Sequence, residues 1–220
     1  MAGPKSFLLT PELSGYLVAH GSPPDAVLEW LAAETAALGP VAGMQVAPEQ
    51  GAFLTVFAAA LGARTAIEVG TFTGYSALCI ARGLGADGHL VCCDVSEEWT
   101  ALARRAWDRA GIAERIDLRI GPAAETIAAL PADTVFDLAF IDADKGGYRS
   151  YFDALVPRMR PGGCILVDNV LWSGRVIDDA ADDADTRAIR EFNDYVAADP
   201  RVEAVMLPIA DGLTIARVRD

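Results

Sequence analysis

The sequence predicts an α/β fold: a single Rossmann-like, doubly wound sheet of about seven strands, with an antiparallel edge hairpin and extra N-terminal helices. Three observations carry that reading. Ala66–Ser76, AIEVGTFTGYS, reads as a short apolar strand, a glycine turn and the start of a helix. From there to Ala198, apolar runs alternate with helix-period segments, and several of the runs are apolar throughout, as in a parallel sheet covered on both faces. Finally, Val202–Pro208 and Leu213–Val218 are joined by Ala210-Asp211-Gly212, a turn that reads as a hairpin.

In order along the chain, Pro11–His20 reads as a short helix closed by Gly21. Ser22-Pro-Pro-Asp25 starts a second, with Val27, Leu28, Leu31 and Leu38 on one side. Gly39–Ala47 is a linker, and Pro48 at a first helical position opens a helix to about Leu61. Strands are expected near Ala66–Val69, Leu90–Asp94, Ile116–Ile120, Leu138–Asp142 and Cys164–Asp168. Helices are expected near Gly74–Leu84, Ser96–Ala110, Ala123–Leu130, Tyr148–Met159 and Asp185–Ala198. No repeat or second boundary interrupts the pattern, so residues 1–220 read as one domain, with 1–47 capping its site.

The 220 residues suffice for one substantial core, and a hydrophobic content of 52% leaves material for a subunit interface. No apolar run approaches the roughly 18 residues of a membrane span. Phe7-Leu8-Leu9 is broken at once by Thr10, Pro11 and Glu12, which does not read as a signal peptide. A net charge of −13 repels nucleic acid and anionic membrane. Cys79, Cys92, Cys93 and Cys164 lie in apolar segments without metal-type spacing and read as buried thiols of a reducing cytoplasm. With only His20 and His89 in the chain, a multi-histidine metal site is set aside.

The glycine turn narrows the ligand. A dinucleotide fingerprint counted from Gly70 requires glycine at Phe72 and Tyr75; the chain has G-x-x-x-G, with Glu68 two residues ahead. A carboxylate beside bare backbone suits a neutral or cationic ligand of adenosyl type better than a pyrophosphate. Asp94, at the end of the second strand, is placed to hydrogen-bond a ribose diol, or else to cap the helix opened by Ser96. Phe140–Lys145 (FIDADK) and Leu166–Asn169 (LVDN) end neighbouring strands, so Asp142, Asp168 and Asn169 can converge on one divalent ion, Mg²⁺ or Ca²⁺. The alternative makes Asp144 and Asp168 caps or solvated turn residues. Lys145 lies close enough to reach whatever the metal holds and is the candidate base, unless it only pairs with Asp144 or extends to solvent. Trp172 could wall an aromatic substrate or pack in the core. The acidic run Ile177–Asp185 lacks the glycine and glutamate of a calcium loop and reads as a solvated turn before a helix.

MQVAPEQGAFL, AIEVGTFTGYSAL, CCDVSEEW, RIGPA, FIDADKGGY and ILVDNVLWSGRV together resemble the cation-dependent, S-adenosylmethionine-dependent O-methyltransferases, the caffeoyl-CoA and catechol O-methyltransferase group. The resemblance spans roughly Met44 to Val218 with motif order kept. It implies that Glu68, Gly70, Thr71 and Ser76 hold the amino-acid end of S-adenosylmethionine, that Asp94 binds its ribose, and that Met44, Val46 and Ala123 line the methionine and adenine pockets. It further implies Asp142, Asp168 and Asn169 as ligands of Mg²⁺ (or Ca²⁺ or Mn²⁺), with Asp142 also beside the cofactor. Lys145 would lie near the reacting hydroxyl of a small aromatic, in a cytoplasmic homodimer. With no evident basic patch for a coenzyme A phosphate, a free catechol is the expected acceptor. Two other functions fit parts of the pattern: a non-catalytic S-adenosylmethionine or nucleoside-binding protein, and an RNA-directed methyltransferase, which the charge disfavours.

Overall fold

The structure is a computed structural model and describes residues 9–220. Most of the segment weighed as a signal peptide lies outside the described residues. Helices α1 (Pro11–His20), α2 (Ala26–Ala36) and α3 (Pro48–Ala60) precede the alternating region. There β1 (Thr65–Val69), α4 (Tyr75–Gly83), β2 (His89–Asp94), α5 (Glu97–Arg109), β3 (Ile116–Ile120), α6 (Ala123–Ala129), β4 (Phe136–Ile141), α7 (Tyr148–Leu155) and β5 (Met159–Val167) follow. The chain ends with α8 (Ala184–Ala198), β6 (Val202–Leu207) and β7 (Leu213–Val218). The sheet has seven strands in the order β3-β2-β1-β4-β5-β7-β6. Only β7 runs antiparallel to its two neighbours, β5 and β6, so the expected hairpin forms and enters the sheet by its second strand.

Each central strand is apolar on both sides because both sides are covered. In β1, Ala66 faces the layer of Leu54, Leu78 and Leu102, whereas Ile67 and Val69 face that of Ile127, Phe152 and Phe192. By the same alternation Glu68 points toward the α4 side, among apolar neighbours.

The N-terminal helices depart from expectation in what they bury. Asp25 caps α2, accepting from the amides of Val27 and Leu28, and Leu28 and Leu31 enter the core. Leu38 lies beyond the helix and stays exposed. Helix α1 buries no side chain. The fourth crossover also differs. The expected helix Tyr148–Met159 stops at Leu155, a 3-10 turn carries Pro157, and β5 begins at Met159. Val156 keeps helical angles, but Pro157 has no amide proton to donate to the Asp153 carbonyl, which accounts for the stop. Strand β5 then carries a bulge: Phe136 pairs with Met159 but Leu138 with Cys164. Gly162 takes a φ of +75° there, and Arg160 anchors the bulge on Asp137 at 2.6 Å.

Candidate functional site

The carboxyl ends of β1, β4 and β5 are stitched side by side. The Asp142 amide donates to the Val69 carbonyl at 2.8 Å, and the Asp168 amide to that of Ile141 at 3.0 Å. Strand ends in a parallel sheet release their last residues into one crevice, and here it is a cavity of about 930 Å³. Gly70 is the tightest point of its floor. Its φ is +90°, and a Cβ there would stand 2.1 Å from the Asp142 carbonyl oxygen. Only glycine fits such a conformation and approach.

Asp94 organises the glycine loop from the neighbouring strand. Its Oδ2 accepts from the amides of Thr71 (2.9 Å) and Phe72 (2.7 Å), and its Oδ1 from Ser96 at 2.8 Å. Phe72 has a φ of +50°, an unfavourable conformation for a bulky residue that these bonds help to hold. Asp94, which holds the turn, also lines the cavity. Met44, Val46, Gly70, Thr71, Ser76 and Ala123 line it too.

Glu68 does not line the cavity; it lies beneath the loop with no solvent exposure. The Cys92 thiol donates to its Oε2 at 3.6 Å, and Oε1 has no partner in hydrogen-bonding geometry. Burial pushes this carboxyl up to about 7, against the pull of the nearby Ser76, Thr71 and Cys92 groups.

At the opposite end stand Asp142, Asp168 and Asn169, the three residues expected to converge, with Lys145 beside them. Lys145 Nζ lies 2.7 Å from Asn169 Oδ1, 3.3 Å from Asp142 Oδ1 and 2.9 Å from the Ala143 carbonyl. Asp168 is 2% exposed and accepts from the Asn169 amide at 2.7 Å. It caps no helix. Burial, then the charge of Asp142, pushes its carboxyl up to about 7, and burial raises Asp142 as well. Asn169 holds a φ of +56°, which asparagine tolerates better than most residues. Among the described residues no group of three or more His, Cys, Asp or Glu side chains gathers as a metal site. The donor set is two carboxylates and one amide oxygen. Asp144 accepts from the Tyr151 hydroxyl at 2.7 Å and is not paired with the lysine.

Several lining residues escaped the sequence reading. Gln50, 1% exposed on the first turn of α3, reaches the cavity from outside the sheet. Phe72 and Trp99 pack edge to face at 5.2 Å on the adjoining wall. The position of Trp99 in the first turn after an acid-tipped strand was the available signal. Tyr148 is fully buried behind Lys145, and burial together with nearby carboxylates holds its phenol well above the usual range. Asp185 and Asp211 join the wall from α8 and the hairpin turn. Trp172 lines the cavity, with Lys145 Nζ 5.6 Å from its ring centre. Among the described residues the acidic and basic lining is therefore lopsided: six aspartates (94, 142, 144, 168, 185 and 211) against Lys145, and no arginine.

The statistical model of one family, described as O-methyltransferase, matches residues 19–219. The chain belongs to the O-methyltransferase family. Caffeoyl-CoA O-methyltransferase 2 of Zea mays is 36% identical over 228 residues, covering 98% of this chain and 86% of the maize protein. An O-methyltransferase from Bacillus cereus, crystallised in complex with SAH, superposes with a TM-score of 0.87 at 35% identity, covering 94% of this chain and 97% of its own. TomG from Streptomyces achromogenes, solved with SAM, superposes with the same TM-score of 0.87 at 29% identity, over 95% of this chain and 96% of its own. The resemblance drawn from the motifs is thus met at the level of the family, and the seven-stranded sheet of this O-methyltransferase is shared with solved relatives.

Proposed function

We propose that this O-methyltransferase transfers the methyl group of S-adenosylmethionine to a hydroxyl of a small catechol-like aromatic, assisted by a divalent cation. One observation carries the reading. The glycine-loop wall and the oxygen-rich end built from Asp142, Lys145, Asp168 and Asn169 face one continuous cavity, so that a methyl donor and an oxygen acceptor can be held against each other. The relatives bound to SAH and SAM support the choice of donor.

In this reading the Gly70–Thr71 backbone and Ser76, with the negative charge of Glu68 behind them, hold the amino-acid end of S-adenosylmethionine. Asp94 takes the ribose, and Met44, Val46 and Ala123 enclose the apolar parts. Asp142, Asp168 and Asn169 fit a hard cation, because every donor is oxygen and the charge of Asp142 helps to raise the Asp168 carboxyl even with Lys145 nearby, a repulsion that a divalent ion would relieve. Mg²⁺ suits the set best, with Ca²⁺ or Mn²⁺ as alternatives. When bound, such a cation lowers the pKa of a hydroxyl it chelates. Lys145 Nζ, after its resting ammonium has released a proton to solvent, receives the proton of that hydroxyl, and the ammonium so re-formed is held by the four oxygens around it. The acceptor oxygen then forms the new O–C bond as the C–S bond breaks. Trp172 walls the aromatic ring. Proximity and orientation can supply up to roughly 7–11 kcal/mol of the barrier reduction.

The aspartate-rich lining and the net charge of −13 favour a free catechol over a polyanionic thioester and disfavour nucleic acid. No helix among the described residues is long and apolar enough to cross a membrane. A cytoplasmic homodimer, with residues 1–220 as one methyltransferase domain, completes the proposal.

The test is methyl transfer from labelled S-adenosylmethionine to a panel of free catechols, before and after EDTA treatment with metal content measured. Chelation is expected to abolish turnover, Mg²⁺ to restore it, and Asp168→Ala to lose activity with its circular dichroism unchanged. Full turnover by protein shown to be metal-free overturns the cation assignment. SAH binding without transfer to any catechol points instead to a non-catalytic binder.

A further inference from the structure

Lys145 is one of only two lysines in the chain, the other being Lys5. Its ammonium stands where three segments meet: the loop after β4, the start of α7 and the end of β5. Tyr148, the first residue of α7, touches it in two ways. The phenolic oxygen lies 2.7 Å from Nζ, and the ring centre lies 4.9 Å from the same atom.

The polarity of this contact follows from a second bond. The Tyr148 hydroxyl is 2.9 Å from the main-chain carbonyl oxygen of Asp168, which can only accept. A phenol has one proton, and the carbonyl takes it. Toward Lys145 the same oxygen must therefore act as acceptor. The bond to Nζ is charge-assisted and has a fixed direction, and it ties the lysine to the backbone of β5. The ring cannot drift, because it is fully buried and packs edge to face on Phe192 of α8 at 5.5 Å. The remaining oxygens around Nζ come from Asp142, Ala143 and Asn169, on the loop after β4 and at the end of β5. Tyr148 alone reaches it from the helix.

We infer that Tyr148 is a positioning residue that holds Nζ of Lys145 at the acceptor end of the cavity by accepting its proton bond while donating to the Asp168 carbonyl. This rests on the methyltransferase reading for its functional consequence and on geometry alone for the contact. The phenol touches neither donor nor acceptor. It acts through the lysine, and removing it leaves a long, flexible side chain one anchor short.

Two measurements test this. In the first, Tyr148→Phe and Lys145→Ala are combined in a kinetic cycle. Losing one hydrogen bond to a charged group should lower kcat roughly ten- to hundredfold in the native background. The KM for S-adenosylmethionine and the affinity for SAH should stay within about twofold. In the Lys145→Ala background the same substitution should cost nothing further, because there is no ammonium left to place. In the second, both lysines are acetylated competitively under trace reagent and quantified by mass spectrometry, with Lys5 as internal reference. The Lys145:Lys5 labelling ratio should rise several-fold in Tyr148→Phe, since Nζ is freed. Phe192→Leu keeps the hydroxyl but loosens the ring, and should move both readouts in the same direction by less. If Tyr148→Phe fails to fold, this second variant decides. Kinetic losses that multiply across the cycle, or an unchanged labelling ratio, overturn the inference. If the native protein methylates no catechol, the functional reading falls while the labelling ratio still decides whether Tyr148 holds Lys145.

Discussion

Replacing Glu68 by glutamine separates the two roles this residue could have, because the carboxyl is buried without exposure and titrates near 7. Its ordinary value is 4.5, and each tenfold change in an acid constant is worth about 1.4 kcal/mol, so ionising it in the folded protein costs roughly 3 kcal/mol more than in the unfolded chain. The sign follows from proton counting. Below about pH 4.5 both states hold the proton; above it the unfolded chain ionises while the folded protein still cannot, so folding stability falls as pH rises. Once pH passes about 7 the folded form loses its proton too, and the loss of stability levels off. Between pH 5 and pH 8.5 the wild-type protein should therefore lose about 2.5 kcal/mol of stability through Glu68. Glu68→Gln has nearly the same shape and no proton to exchange. Urea unfolding followed by tryptophan fluorescence, on both proteins across that range, gives the difference directly, and titrations common to both cancel. The glutamine variant should gain on the wild type by about 2.5 kcal/mol from the acid to the alkaline end. A stability difference that stays flat with pH refutes the buried-acid account. In parallel, SAH affinity measured by calorimetry at pH 8.5 should fall in the variant, because the negative charge proposed to stand behind the donor's amino group is gone.

Two further outcomes bear on the acceptor end. Free catechols should be methylated with a higher kcat/KM than their coenzyme A thioesters, since six aspartates and one lysine line the cavity; a tenfold or greater preference for the thioester at moderate ionic strength would show the charge argument to be wrong. If Lys145 accepts the proton, both Lys145→Ala and Lys145→Arg should lose on the order of 10²–10⁴ in kcat in rapid-quench assays, with alkaline pH partly rescuing the alanine variant, whereas near-native turnover by Lys145→Arg would leave the residue with charge alone.

Much of the architecture was legible because local chemistry and global fold agree. Ala66–Ser76 announces strand, turn and helix through composition and glycine alone, and Ala210-Asp211-Gly212 announces the hairpin. Acids and amides at the ends of successive parallel strands must converge, because the sheet places those ends side by side; Asp142, Asp168 and Asn169 needed only that rule. The end of α7 was misread because the apolar period runs on through Pro157 to Met159, and period is blind to a missing backbone donor.

Residues acting across the fold were not legible in the same way. Gln50 enters the cavity from a helix outside the sheet, and Tyr148, read from sequence only as the start of a helix, sets its hydroxyl between Lys145 and the Asp168 carbonyl. Asp94 was foreseen at its strand end, but its grip on the amides of Thr71 and Phe72 depends on how β2 lies against the glycine loop. The sequence by itself determined the order of elements, the glycine turn and the acids that meet at the strand ends, since these follow from backbone stereochemistry and side-chain period. The tertiary structure alone decided the burial of Glu68, the acceptors around Lys145 and the charge of the cavity wall. Solvent exclusion and the direction of a hydrogen bond exist only once distant segments have packed together.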